Sequence, residues 1–435
     1  MSAPLRIGIA GLGTVGVGAL HLLQQNAALI AARCGRPLVV TAVSMRDTAK
    51  KRDANLSGIR VEKDARVLAT AADVDVVVEL IGGEEGIARA VVEAALANGK
   101  HVVTANKALI AHHGETLAVL AEKHNMVLAF EAAVAGGIPI IGALRSGLAA
   151  NRITRVAGIL NGTCNYILTT MEKHRRDFAD VLSEAQQLGY AEAEPSLDVD
   201  GVDAAHKVTI LASLAFGTRP DFSQLHVEGI RRISLADIEY AASFGYRIKL
   251  LGIATMDDGK LLQRVHPCLV PMSAPLAMID GPFNAVQIEG DGVGRVVFEG
   301  RGAGGGPTGS AVVADIMAIA RGDTYPAFTV PSQQLRRAPQ APLVAHTGCY
   351  YLRLSLKDEP GVLAEFTKAF AAEKISVNSI TQRAMTPPAG GKEGGSAQVI
   401  VITHETNEAA IARAAAAIAT LPICVDAPVV LRIES

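Results

Sequence analysis

The chain has 435 residues, 49% of them hydrophobic and 19% charged, with a formal net charge of −2. That length calls for two or three domains with sizeable cores, and acids and bases spread along the chain leave no nucleic-acid surface. The apolar run 132–144 is closed off by Glu131 and Arg145, so no stretch reaches membrane-spanning length.

A strand that starts almost at the N-terminus leaves no room for a signal peptide. The stretch "RIGIAGLGTVGVG", residues 6–18, reads as a buried strand, a G-x-G-x-x-G turn and a helix, the entry to a dinucleotide-binding βαβ unit. Gly11 makes the tight turn, Gly13 admits a pyrophosphate to the backbone, and Gly16 lets the helix pack close. The helix N-terminus then offers free N–H groups to phosphate. Strands follow at 38–44, 74–80, 101–104 and 126–130, with helices at 84–98 and 115–124. This alternation predicts a doubly wound α/β Rossmann domain over 1–135.

Residues 136–305 mix predicted helices (178–188, 203–216, 235–244) with strands (155–160, 249–254, 261–269, 285–289). They read as an α+β substrate and dimerisation domain. A glycine-rich loop at 301–310 precedes a helix at 311–320, and 306–325 returns to the first domain. Residues 334–348 read as a linker. Over 349–435 the order is βαββαβ, a ferredoxin-like module: strands at 350–356, 375–380, 397–403 and 428–433, a helix at 408–419, and a loop from Pro387 to Gly395. Apolar pairing surfaces on the middle domain and on this last sheet predict a homodimer or homotetramer.

Three places carry candidate chemistry. After the second strand stand Ser44, Arg46 and Asp47. An acid on the ribose marks NAD and an arginine marks NADP, so Arg46 favours NADP, with NAD as the alternative. Lys107, in "VTANKALI", follows a parallel strand at its carboxyl end, where ligands of open α/β sheets bind. The most specific stretch is "LGYAEAEPSLDVDGVDAAHKVTI", residues 188–210. Glu192, Glu194, Asp198, Asp200, Asp203 and the more distant Glu184 crowd around Lys207 with almost no compensating cation. Such a cluster suits a substrate ammonium group. Asp203 and Lys207, four apart on one helix face, suit proton exchange at a carbonyl or alcohol oxygen.

Five widely spaced cysteines, with no C-x-x-C, give no disulfide framework and point to a reducing cytoplasm. The eleven histidines contain no H-E-x-x-H, and the adjacent His112 and His113 make no zinc pattern.

The motifs "GLGTVG", "TANK", "GILNGTCNYIL", "GYAEAEPSLDVDGVDAAHK", "GRGAGGGPT" and "DEPGVLAEF" occur in an order that resembles the homoserine dehydrogenase family over essentially the whole chain. The resemblance implies NADPH-dependent, reversible reduction of L-aspartate 4-semialdehyde to L-homoserine, on the route to threonine, methionine and isoleucine. It implies Lys107 and Lys207 as catalytic lysines and Glu192, Asp198 and Asp203 as the substrate's holders. Thr14, Val15, Arg46, Lys107 and Gly304 would touch the cofactor. An alkali-metal ion (sodium or potassium) would sit on a loop through Glu131, Val134, Gly136 and Ile138, a stretch that otherwise reads as an apolar hinge. Cys164 stands where many relatives have threonine; no histidine lies nearby in sequence to activate it as a nucleophile, so it reads as a small hydrophobic residue.

The C-terminal module resembles an ACT domain. Asp358, Gly361 and Asn378 would then meet an amino-acid ligand, threonine, where two copies pair. A purely structural module is the alternative. Competing readings are a sugar-type Rossmann oxidoreductase, an aspartate-semialdehyde dehydrogenase, which needs a thiol nucleophile, and an amino-acid sensor without turnover.

Overall fold

The computed structural model describes residues 3–384 and 395–434. The loop expected from Pro387 falls outside them up to residue 394. No single helix among the described residues is long and apolar enough to cross a membrane.

The first sheet is parallel throughout. Its strands lie in the order Arg60–Glu62, Leu38–Ser44, Leu5–Ala10, Val76–Glu79, His101–Thr104, Leu128–Ala129. Strand order reverses between Leu5–Ala10 and Val76–Glu79, and ligands of doubly wound folds bind at that switch point. The central strands are sealed on both faces, with Ile7, Ile9, Val76, Val77 and Val78 all at 0% exposure, which is why they read as continuous apolar runs.

The helix expected to start at 115 begins eight residues earlier, as Lys107–Lys123. The helix expected at 311–320 is Gly305–Arg321, so the glycines assigned to a loop form its first turn. It runs beside Thr14–Gln25. A Cβ on Gly18 would lie 2.0 Å from the Gly305 carbonyl oxygen, and one on Gly309 would lie 2.7 Å from the Ala19 nitrogen. The two helices pack backbone to backbone and point the same way, with Thr14 against Gly305. Their N-termini therefore open on the same place. Gly18→Ala is expected to force the pair apart, at a cost of about 1–3 kcal/mol. A thermal melt would read this as a lowered Tm, and an unchanged Tm would contradict the contact.

The second sheet joins the middle and C-terminal parts, which the sequence reading treats as separate. Its path is Gly294–Arg301, Phe283–Gly290, Ile153–Ile159, Tyr246–Asp257, Lys260–Pro271, Cys424–Ile433, Thr347–Lys357, Ser396–Thr403, Val377–Ala384. The first of these strands falls in the segment that sequence periodicity leaves unassigned. The last four have the order 4-1-3-2 of a ferredoxin-like module. The seam is a short parallel pairing, Cys268 with Arg432 and Leu269 with Ile433. Buried ions lock it. Arg432 reaches Glu408 at 2.5 Å and Glu228 at 3.1 Å, and Arg264 reaches Glu434 at 2.7 Å. Arg353 meets Asp237, itself at 0% side-chain exposure, at 2.6 Å. The segment 334–348 is laid along the middle domain through bridges of Arg336 to Thr218 and of Gln340 to Leu261.

Candidate active site

Two clefts open on the carboxyl edge of the parallel sheet. The first has a volume of about 1050 Å³ and is lined by Gly11, Gly13, Thr14, Ser44, Arg46 and further residues of the Asp47–Arg66 stretch. The three glycines of the turn do different work. Gly11 sits at φ +101, and a Cβ there would lie 2.7 Å from the Leu80 carbonyl oxygen. A Cβ on Gly16 would lie 2.3 Å from the Gly11 oxygen. The chain itself needs both of these glycines. At Gly13 nothing lies within 4 Å, so its bare backbone faces the cleft and leaves room for a group from outside. Two helix N-termini, at Thr14 and Gly305, offer unpaired N–H groups beside it. Gly304, at φ +118, caps the second of them. The side chain of Val15 instead packs toward the core of the first domain.

At the other end of the cleft the Asp47 carboxylate accepts the N–H groups of Ala49 and Lys50 at 2.9 and 3.2 Å. It caps its own turn, while Arg46 lines the cleft. Arg52, which sequence reasoning passed over, donates to the Leu12 carbonyl at 2.9 Å and ties this turn to the glycine loop.

The second cleft, of about 340 Å³, is lined by Gly83, Lys107, Glu192, Asp198, Asp203 and His206 among others. It lies between the first domain and the middle domain, and local structure explains each position. Thr104 donates to buried Glu79 at 2.6 Å and accepts the Asn106 N–H at 3.0 Å. Asn106 caps the next helix by accepting the Leu109 N–H, and its amide holds the Gly83 carbonyl at 2.7 Å. "TANK" is thus a strand end, a cap and a first helical residue, and it delivers Lys107 to the cleft.

From the other side, the helix Val202–Phe216 presents Asp203 and Lys207 one turn apart. Asp203 bridges two ammonium groups: Oδ2 lies 2.7 Å from Lys207 Nζ, and Oδ1 lies 3.0 Å from Lys107 Nζ. Lys207 also donates to the Leu160 carbonyl at 2.7 Å. Burial pushes the Asp203 carboxyl up, but the two lysines overcome it and hold the group well below the usual carboxylate range. The attraction of Asp203 in turn raises Lys107 above an ordinary lysine.

Asp198 lies beside this pair, and burial raises its carboxyl. The Asn161 amide donates to Asp198 at 2.7 Å and to Asp203 at 2.9 Å, while its oxygen caps the helix Gly162–His174. Sequence reasoning missed Asn161. The available signal was the Asn-Gly-Thr cap inside "GILNGTCNYIL". Cys164, one turn further on, is fully buried and donates to the Asp198 carbonyl at 3.2 Å. Burial drives its thiol well above the usual range, which disqualifies it as a nucleophile.

The expectation of six uncompensated acids needs correction. Glu184 is held by Arg176 and Tyr166, and Asp200 pairs with Arg231 at 2.5 Å. Glu194 accepts the Ser196 N–H and hydroxyl. Glu192, Glu194, Asp198 and Asp203 line the cleft, and of these Glu194 is already engaged by Ser196. The compensating arginines come from segments that are distant in sequence or across a turn, so local charge counting could not see them.

The remaining expected residues lie elsewhere. Glu131, Val134, Gly136 and Ile138 form a kinked turn at the domain junction, with Ala135 at φ +54 and Gly136 at φ +52. The Glu131 carboxylate accepts the N–H groups of Ile141 and Gly142 at 2.9 and 2.6 Å. In the C-terminal module Gly361 caps the helix Val362–Ala372 at φ +95. Asp358 accepts the Gln382 amide at 3.2 Å, and Asn378 stands exposed on the edge strand.

A dinucleotide cleft, a carboxylate-bridged lysine pair and a ferredoxin-like appendage define a nicotinamide-nucleotide oxidoreductase with a regulatory-type module. Family models match three stretches: "Homoserine dehydrogenase, NAD binding domain" over residues 11–131, "Homoserine dehydrogenase" over 139–317 and "ACT domain" over 350–422. The chain belongs to the homoserine dehydrogenase family.

It is 48% identical to the homoserine dehydrogenase of Neisseria gonorrhoeae, with 99% of each chain covered. It is 44% identical to that of Pseudomonas aeruginosa, again with 99% of each covered. Among solved structures it resembles a homoserine dehydrogenase from Thiobacillus denitrificans, at 43% identity and a TM-score of 0.92, covering 99% of this chain and 98% of that one. It also resembles a hyperthermophilic archaeal homoserine dehydrogenase in complex with NADPH, at 28% identity and a TM-score of 0.61, covering 72% of this chain and 97% of that one.

Proposed function

We propose that the chain reduces L-aspartate 4-semialdehyde to L-homoserine reversibly with NADPH, and that Lys207 and Lys107 act on the reacting oxygen. The observation that carries this reading is Asp203, which holds both ammonium groups within 3.0 Å at the wall of one cleft. The bound dinucleotide supplies the hydride. Lys207, aimed by Asp203 and the Leu160 carbonyl, donates a proton to the developing alkoxide. Lys107, held on the opposite oxygen of Asp203, stabilises the same substrate oxygen by its charge. Glu192 and Asp198 hold the substrate ammonium group, and Asn161 fixes the direction of the Asp198 carboxylate.

The cradle at Gly13, with two helix N-termini beside it, fits a pyrophosphate. NADPH over NADH is supported by Arg46 on the cleft wall and by the turn-capping role of Asp47, and the archaeal relative was solved with NADPH. Arg46→Ala is expected to raise KM for NADPH about tenfold or more, the worth of one charge-assisted hydrogen bond, and to leave KM for NADH unchanged. Equal effects on both would contradict the assignment.

An alkali-metal ion fits the junction turn through main-chain oxygens. Among the described residues the carbonyls of Val134 and Gly136 accept no backbone hydrogen bond, and Glu131 brings a buried carboxylate to the same turn. Ile138 closes that turn.

Threonine is the proposed ligand of the C-terminal module, at Asp358, Gly361 and Asn378 of paired copies. A short path supports coupling to the active site. Arg432 of the module holds Glu228, and Ile230, two residues on, donates to the Val199 carbonyl next to Asp198 at 2.8 Å.

The test is NADPH oxidation with aspartate semialdehyde, with and without threonine. Turnover that falls as threonine is added supports both parts. Absence of turnover sinks the catalytic reading, and turnover indifferent to threonine sinks the regulatory one.

A further inference from the structure

Two histidines from different domains meet at the rim of the substrate cleft. His112 lies on the helix Lys107–Lys123, and His206 lies on the helix Val202–Phe216. Their Nε2 atoms are 3.3 Å apart, and His112 Nε2 is 3.1 Å from Glu84 Oε2. One ligating atom from each of the three residues falls within 4.8 Å of the others. Phe222 packs on both imidazoles, with ring centroids 4.8 Å from His112 and 4.7 Å from His206, and so limits their rotation.

We infer that Glu84, His112 and His206 form a binding site for an imidazole-preferring divalent cation of the zinc class, and that the bound ion holds the cleft shut. Ligands about 2.0–2.1 Å from a tetrahedral zinc lie about 3.3 Å from one another, which is the spacing seen between the two nitrogens. Two imidazoles and one carboxylate, with a fourth position left open, suit zinc, cobalt or nickel rather than calcium or magnesium. Glu84 is half exposed in the loop between Gly82 and Gly86, so its carboxylate can complete the set without moving a packed element.

The position gives the ion a consequence. His112 sits five residues after Lys107, and His206 is the neighbour of Lys207 and lines the cleft. An ion across them ties the first domain to the second at the substrate entrance. Sequence spacing hides the site, because 94 residues separate the two histidines.

The test uses the full-length chain stripped with EDTA. Cobalt(II) titrated into the wild type is expected to give visible d–d absorption that saturates at one ion per chain. His112→Ala is expected to weaken binding at least about tenfold while its activity in EDTA stays at the wild-type level. Zinc is expected to inhibit the wild type reversibly, and the inhibitory concentration should rise by the same factor in His112→Ala. Equal cobalt uptake by both proteins, or thiolate charge-transfer bands in place of imidazole ligation, would overturn the site. Ion binding without inhibition would overturn the clamp.

Discussion

Lys207→Ala is expected to lower kcat by about 10²–10⁴-fold, the usual worth of a positioned general acid, with dinucleotide affinity unchanged. Lys207 is buried and spends two of its donors on Asp203 and the Leu160 carbonyl, both at 2.7 Å. Its ammonium group is therefore aimed before any substrate arrives. The nucleotide cradle, built from Gly11, Gly13 and the helix at Thr14, shares no residue with it. The split between kcat and cofactor binding is thus the informative readout. Steady-state kinetics with aspartate semialdehyde, together with NADPH titration by fluorescence, measures both. Near-normal turnover in the variant would remove Lys207 from the chemistry.

Asp203→Asn is expected to cost about 10²-fold or more in kcat/KM and to change the shape of the pH profile. The amide keeps the volume but removes the charge that both lysines face. Lys107 owes its raised pKa first to the attraction of Asp203. In the wild type its cationic form therefore persists to higher pH, and in the variant it is lost earlier. The alkaline limb of kcat/KM moves to lower pH. A variant with reduced activity but an unmoved alkaline limb would make Asp203 a structural residue only.

Much of this architecture was legible from local pattern. The strand–glycine–helix entry, the apolar strands and the βαββαβ tail each rest on short-range signals: turn chemistry, period and cap. The strands His101–Thr104 and Leu38–Ser44 and the helix Glu408–Ala419 fall where the pattern puts them. The glycine-rich stretch misled, because Gly305 and Gly306 look like loop formers. Gly305 serves close helix packing instead, since a side chain there, or at Gly18 or Gly309, would collide with the neighbouring helix.

What local pattern cannot carry is distance. The parallel pairing of Cys268 with Arg432 fuses two apparently separate units into one sheet, although the two residues are far apart in the chain. The arginine that neutralises Asp200, 31 positions on, is invisible for the same reason, as is Asn161, whose amide acts 37 and 42 residues away, whereas Arg176 reaches Glu184 across a nearby turn. Asp203 with Lys207 was legible because one helical turn separates them. The arrival of Lys107 on the same carboxylate needed the fold.

A crystal structure with homoserine and NADP+ bound together would show which groups meet the substrate's oxygen and amine. The homoserine hydroxyl is expected within hydrogen-bond distance of Lys207 Nζ, with the amine between Glu192 and Asp198. A ligand whose hydroxyl turns away from both lysines, or whose amine lies on other groups, would contradict the proposed mechanism.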